Sequence, residues 1–252
     1  MIPTRERRPL ALAHGAGGGI DLNFATVIDR LGPVRDVGGV DYPGSGTVPR
    51  SSTALELDDL ADRLVAHMVD AGHERFPVLG MSLGSAVAMT AAARHPDSVT
   101  GLVLTVGFAR ADAQVTGFVR VWRRLAELGE WDALAELLVN ASSPAVLETM
   151  DEAARGEAVA LARAALPPGG PDQAELAARV DVADMLATIQ VPTLVVVAGQ
   201  DRIVLPQSTR DLAAGIAGSE VVEYPGAGHV FTPAEAARWA DDVADFLLRR
   251  GL

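Results

Sequence analysis

The stretch VLGMSLGSAV, residues 78–87, sets a serine between two glycines, after a short apolar run and before an alanine-rich segment. Its patterning reads as a buried strand, a tight turn and a helix, with Ser82 on the turn. A turn that lifts the Ser82 hydroxyl clear of a sheet strains its backbone and brings neighbouring residues very close. Only small residues fit two positions before and two after. Gly80 and Gly84 supply them, and Ser85 and Ala86 keep the start of the helix slim. The turn also aims the Leu83 N–H, at a helix N-terminus, toward any oxyanion formed on Ser82. A helix N-cap serine is the plainer reading of the same residues. Partners elsewhere in the chain decide between the two.

A serine hydroxyl is a poor nucleophile near neutral pH and needs a base within hydrogen-bond reach. Five histidines are available. His67 falls inside a helical pattern, while His73 and His95 lie beside loops or helix ends, and all three read as structural or solvated. His229 differs, because YPGAGHVF (224–231) places it after a strand and a glycine-rich loop, before the final helix. A base also needs an orienter to fix its tautomer. VVVAGQDRIVLP (195–206) offers Asp201 just past a strand end. As a lone loop acid it reads as a partner of Arg202. Ser, Asp and His arriving in that order from three strand-end loops favour a relay.

A further part is ALAHGAGGG (11–19), where small residues after His14 leave backbone N–H groups open to a second oxyanion contact. Ala16 ranks ahead of Gly17 as the donor. His14 reads as a scaffold residue pinning this loop beside the substrate rather than as a base. A phosphate loop fails here, since no G-x-G-x-x-G is in register and no lysine follows.

Around these loops, short apolar runs alternate with amphipathic stretches, the pattern of a parallel sheet covered by helices on both faces. Strands are predicted at 10–14, 34–40, 76–80, 100–106, 192–199 and 220–225, and helices at 20–31, 54–71, 83–94, 207–216 and 233–250. Thr232 is the expected N-cap of the last helix, with Pro233 in its first turn. Between 108 and 190 the rhythm becomes helical throughout, broken by SSP at 142–144 and PPGGP at 167–171. The organisation expected is a core of residues 1–107 and 191–252 with a helical subdomain over 108–190.

Composition removes whole classes of chemistry. There is no cysteine, so thiol nucleophiles, disulfides and Cys-ligated metals are out. There is no lysine either, which removes Schiff-base catalysis and leaves arginine as all 21 basic side chains. A formal charge of −12 would repel nucleic acid and anionic membranes. The N-terminal stretch, residues 1–19, carries too short an apolar run for a signal segment or a span. A soluble cytoplasmic protein with a small-molecule acyl substrate is expected, needing no cofactor and no metal.

Taken together, the chain resembles the α/β-hydrolase superfamily. The motifs that carry the resemblance are HGAGG (14–18), GMSLG (80–84), GQDRIV (199–204) and GAGH (226–229), joined by DYPGSG (41–46). They cover nearly all of the chain outside the helical segment. The resemblance implies an α/β fold, with a mostly parallel sheet of about six strands and a helical cap inserted before the acid-bearing strand. It implies Ser82 as nucleophile, His229 as general base and then acid, Asp201 as orienter, and an oxyanion hole from Leu83 with Ala16 or Gly17. Residues 108–190 become a lid, and Phe108, Phe118, Trp122, Trp131 and Met150 become possible pocket walls, with ordinary cap core as the alternative for each. Many relatives begin with an antiparallel strand pair that needs some twenty-five residues, whereas about nine precede the first strand here, so a sheet without those edge strands is the expectation. Ester, lactone or thioester cleavage is the leading expectation. Carbon–carbon hydrolysis, cofactor-free cyclase or lyase chemistry and acyl transfer fit the same pocket, and a non-catalytic receptor is the remaining alternative.

Overall fold

The computed structural model describes residues 7–252, so the first six residues of the N-terminal stretch lie outside it. Six strands form one sheet: β1 (Arg8–Ala13), β2 (Arg35–Gly39), β3 (Phe76–Met81), β4 (Val99–Thr105), β5 (Thr193–Ala198) and β6 (Glu220–Tyr224). Their order is β2-β1-β3-β4-β5-β6, and every pairing is parallel. The sheet is therefore wholly rather than mostly parallel among the described residues. Helices make the crossovers, which is why the central strands read as unbroken apolar runs.

Helices α1 (Ile20–Leu31) and α10 (Pro233–Arg249) cover one face. On the other lie α2 (Leu57–Asp70), α3 (Leu83–Arg94) and, after five intervening helices, α9 (Pro206–Gly215). The two faces are filled by alternating residues of the same strand. Leu10 and Leu12 of β1 pack under α1 and α10, while Ala11 and Ala13 face the opposite side. Thr232 caps α10 as expected, in a reciprocal capping box with Glu235. Helix α2 starts at Leu57, later than its apolar pattern predicts. The Leu55 carbonyl accepts from Arg179 Nη2 at 2.7 Å, and Glu56 is extended, so the ladder begins beyond them.

Between β4 and β5 run α4 (Ala113–Leu128), α5 (Trp131–Val139), α6 (Pro144–Thr149), α7 (Glu152–Ala165) and α8 (Gly170–Ala178), followed by a 3-10 turn over Ala183–Thr188. Both predicted breaks become helix starts, with Pro144 and Pro171 in the first turns of α6 and α8, where a missing N–H costs nothing. None of these helices, nor any other among the described residues, is long and apolar enough to cross a membrane.

What positions the site is the approach of α3 to β1. A Cβ on Gly84 would stand 1.9 Å from the Ala13 carbonyl oxygen, and one on Gly80 would stand 2.3 Å from the Gly84 oxygen. No side chain fits at either place. We therefore expect Gly84→Ala to lower stability by at least about 1–3 kcal/mol, the cost of overpacking a filled site. Gly156→Ala in α7, where a Cβ meets nothing within 4 Å, should be neutral or slightly stabilising. Thermal melts of the two variants check this, and equal melting temperatures would refute the close-approach argument.

Candidate active site

All parallel strands deliver their C-terminal loops to one edge, and the chain order reverses between β1 and β3, the crevice where open α/β sheets take ligands. Ser82 follows β3 with φ +55° and ψ −120°, a left-handed conformation that a serine holds only under external constraint. That constraint is visible. The Ser82 N–H donates to the Thr105 carbonyl at 2.9 Å, and the Ser85 hydroxyl donates to the Gly80 carbonyl at 3.1 Å. Thr105 is itself held, since Trp239 Nε1 donates to its hydroxyl at 3.0 Å.

Asp201 and His229 arrive from the loops after β5 and β6. Asp201 Oδ2 lies 2.6 Å from His229 Nδ1, and Oδ1 accepts the backbone N–H groups of Ile203 (2.8 Å) and Val204 (3.0 Å). A carboxylate only accepts, so Nδ1 carries the proton and Nε2 keeps its lone pair. The His229 N–H donates to the Ala141 carbonyl at 3.0 Å, between α5 and α6. A Cβ on the preceding Gly228 would come within 2.7 Å of that same oxygen, so glycine is needed for the approach.

Ser82 and His229 line one cavity of about 280 Å³. Among the described residues no hydrogen bond joins Ser82 Oγ to the imidazole, the loose arrangement common before substrate binds. Asn23 is the third polar side chain in the lining, and the rest is apolar or glycine. Among the described residues no Asp, Glu or Arg takes part. Among the described residues no group of three His, Asp or Glu side chains converges to hold a metal.

The loop after β1 closes the other side of Ser82. A Cβ on Gly15 would stand 3.4 Å from Ser82 Cβ. Three backbone N–H groups are in question here. The Gly15 N–H goes to Asn23 Oδ1 and the Gly17 N–H to Gln173 Oε1, both at 2.9 Å. Ala16 lines the cavity, and among the described residues its N–H, like that of Leu83, donates to no protein acceptor. Gly17 is thus corrected as an oxyanion donor because its N–H is already spent, which leaves Ala16 and Leu83.

His14 is fully buried behind this loop and does not line the cavity, so its expected place at the substrate is corrected. Its Nε2 accepts the Tyr42 N–H at 2.9 Å, and its Nδ1 lies 2.8 Å from the Gly15 carbonyl. The ring stacks on Tyr42 with centroids 3.8 Å apart. Burial pushes its pKa down to about 4, against weaker opposing pulls from the Gly15 carbonyl and Asp41. His73 and His95 sit beside Asp36 (3.6 Å) and Asp62 (2.7 Å), away from the cavity.

Of the proposed walls, Phe108, Phe118 and Trp122 line the cavity, and Trp131 and Met150 do not. Trp131 shares a helical face with Leu138, which does line it, but sits two turns away and packs under the Arg163 guanidinium in a separate surface groove. Met150 ends α6, a helix that buries none of its residues. Sequence reasoning missed Asn23, Leu138, Leu166, Gln173 and Ile203. Helical spacing marks Leu138 of α5 as inward-facing, whereas Leu166 follows the end of α7 and Ile203 lies in a loop, where no period marks them.

A family model for the alpha/beta hydrolase fold matches residues 8–233. Among curated proteins, the chain is similar to a pimeloyl-[acyl-carrier protein] methyl ester esterase of Neisseria meningitidis serogroup B, at 31% identity over 98% of each chain. It is also similar to a 2-hydroxymuconate semialdehyde hydrolase of Pseudomonas sp., at 29% identity over 95% of this chain and 86% of that one. The solved enol-lactonase of Burkholderia xenovorans superposes with a TM-score of 0.83 at 22% identity, covering 98% of this chain and 93% of that one.

The environment of His14 has a consequence for stability. In the unfolded chain histidine takes up a proton near pH 6.5, whereas the folded ring resists until about pH 4. The unfolded state therefore binds more protons between those values, and this contribution is lost as pH falls from 6.5 toward 4, by up to about 3 kcal/mol. His14→Phe, which keeps the stacking, should flatten that part of the stability–pH curve measured by denaturant melts. An unchanged slope would contradict the assignment.

Proposed function

The chain belongs to the α/β-hydrolase family, and on that premise we propose that it hydrolyses a carboxylic ester, lactone or thioester through an acyl-enzyme on Ser82. The observation that carries this reading is the Asp201–His229 contact at 2.6 Å on the cavity that Ser82 lines. In this mechanism Ser82 Oγ attacks the substrate carbonyl while its proton passes to His229 Nε2. The imidazolium is stabilised by Asp201, which two backbone N–H contacts hold in place. The tetrahedral oxyanion is held by the N–H groups of Leu83 and Ala16, both fixed before the reaction begins. His229 then returns the proton to the leaving oxygen or sulfur. Water, activated by the same imidazole, frees the acid from Ser82. Residues 108–190 form the lid in this scheme, contributing walls from α4, α5, α7 and α8.

The lining bears on the acyl group. A buried carboxylate or ammonium is costly unless paired, and no charged side chain lines the cavity. The acyl part is therefore uncharged and largely hydrocarbon, of a size that replaces on the order of nine waters. The same argument disfavours carbon–carbon hydrolysis of a diketone that carries its own carboxylate.

Ser82→Ala should lower kcat by several orders of magnitude, about 10⁶-fold by analogy with other triads. Asp201→Asn should cost on the order of 10⁴-fold. The two backbone N–H groups at Oδ1 would keep the amide oxygen there and turn its NH2 against His229 Nδ1, forcing the wrong tautomer. Steady-state assays on p-nitrophenyl esters measure both, and near-normal turnover of either variant would refute its role. In the same assay, butyryl and hexanoyl esters should be cleaved far faster than a succinyl ester of similar size. Preference for the charged acid would overturn the neutral-acyl reading.

A further inference from the structure

On the proposed acyl-transfer chemistry, the Ala16 N–H must point at the oxyanion, so whatever fixes the loop of residues 14–19 fixes part of the transition state. We infer that Gln173, on α8 of the inserted helices, is a positioning residue for that loop. Its side chain is fully buried, and both ends are used. Oε1 accepts the Gly17 N–H at 2.9 Å, while Nε2 donates to Ser45 Oγ at 2.8 Å and to the Pro43 carbonyl at 3.2 Å. Ser45 Oγ, also fully buried, donates in turn to the Gly18 carbonyl at 2.7 Å. These bonds form a closed ring through Gly17, Gly18, Ser45 and Gln173.

The direction of every bond in the ring is forced. A backbone N–H only donates and a backbone carbonyl only accepts, so the Gln173 amide has one orientation and cannot flip without two like-facing contacts. The opposite side of the loop is wedged as well. Gly17 has φ +71°, and a Cβ there would stand 2.5 Å from Trp122 Cη2 of α4. Helix α8 cannot drift from this place easily, because its start meets the 42–46 turn backbone to backbone: the Gly169 N–H donates to the Gly44 carbonyl at 3.1 Å.

The ring has a chemical effect. Spending the Gly17 N–H on Gln173 settles the orientation of the peptide between Ala16 and Gly17, and so leaves the neighbouring Ala16 N–H to the cavity. Without the Gln173 acceptor, the part-buried Gly17 N–H would lose its only protein partner among the described residues, and the loop would be free to turn toward another. Gln173 touches no reacting atom, so its loss acts through Ala16.

The test compares wild type, Gln173→Leu and Ser45→Ala by steady-state hydrolysis of p-nitrophenyl butyrate, with active sites counted by fluorophosphonate labelling. Amide hydrogen exchange across residues 14–19 is measured in parallel. In Gln173→Leu, kcat per labelled site should fall about 10- to 100-fold with KM within about threefold, since a small misplacement of an oxyanion donor is felt in the transition state. Exchange across 14–19 should accelerate. Ser45→Ala removes only the bridging hydroxyl and should move both readouts the same way by less, which keeps the test open if Gln173→Leu does not fold. An unchanged kcat, a change confined to KM, or unchanged exchange would overturn the assignment. A wild type that neither cleaves ester nor labels at Ser82 would sink the hydrolase mechanism instead, while the exchange data still decide whether Gln173 holds the loop.

Discussion

The Ala13 carbonyl oxygen and the Cα of Gly84 meet at a distance that excludes any side chain, a Cβ on Gly84 falling only 1.9 Å from that oxygen. Everything at the sheet edge follows from this contact. It lets α3 start directly against β1, which forces the chain at Ser82 through a left-handed conformation and exposes the hydroxyl. It also brings the loop after β1 beside Ser82, a Cβ on Gly15 falling 3.4 Å from Ser82 Cβ. The strain at Ser82 is held by neighbours rather than by the serine itself: the Thr105 carbonyl, the Ser85 hydroxyl and, behind them, the indole of Trp239.

The two histidines next to glycine show how environment assigns a role that residue type leaves open. His14 and His229 both sit at strand ends on the same rim. His14 has both nitrogens committed to backbone groups and is buried under Tyr42, so its neutral form is fixed and it serves as a strut. His229 has one nitrogen on a carboxylate and the other toward the cavity. The first can support the loop it belongs to and nothing else. The second borders the cavity that Ser82 lines.

Much of this was legible in the residues because the constraints are local. Strands and helices of the core stand where apolar period and glycine breaks place them, and the turn at Ser82 is written in Gly80 and Gly84. The DYPGSG turn was recognisable as a motif, but its work was not: Tyr42 stacks on His14, Asp41 accepts the Ile20 N–H at 2.8 Å, and Ser45 braces Gly18. What stayed illegible depends on long-range contacts. Gln173 lies 156 residues from Gly17 along the chain, and a glutamine in an alanine-rich helix reads as a solvated residue. Trp131 shows the converse error, since size and helical face suggest a wall, but only the length of α5 decides which of its turns reaches the cavity. Gly17 ranks second to Ala16 on sequence alone, and only its long-range acceptor on α8 removes it as a donor.

The helical segment between β4 and β5 grips the catalytic edge at two separated places, through the Ala141 carbonyl on His229 and through Gln173 on Gly17. Transplanting such a segment between members of the family is an obvious route to new selectivity, and here it would carry a hidden cost. A donor segment that reshaped the walls but lacked a glutamine at the right height, or displaced the carbonyl at 141, would, on the mechanism proposed above, blunt the recipient even with Ser82, His229 and Asp201 untouched. Recombination at this boundary is therefore constrained by the chemistry and not by fit alone.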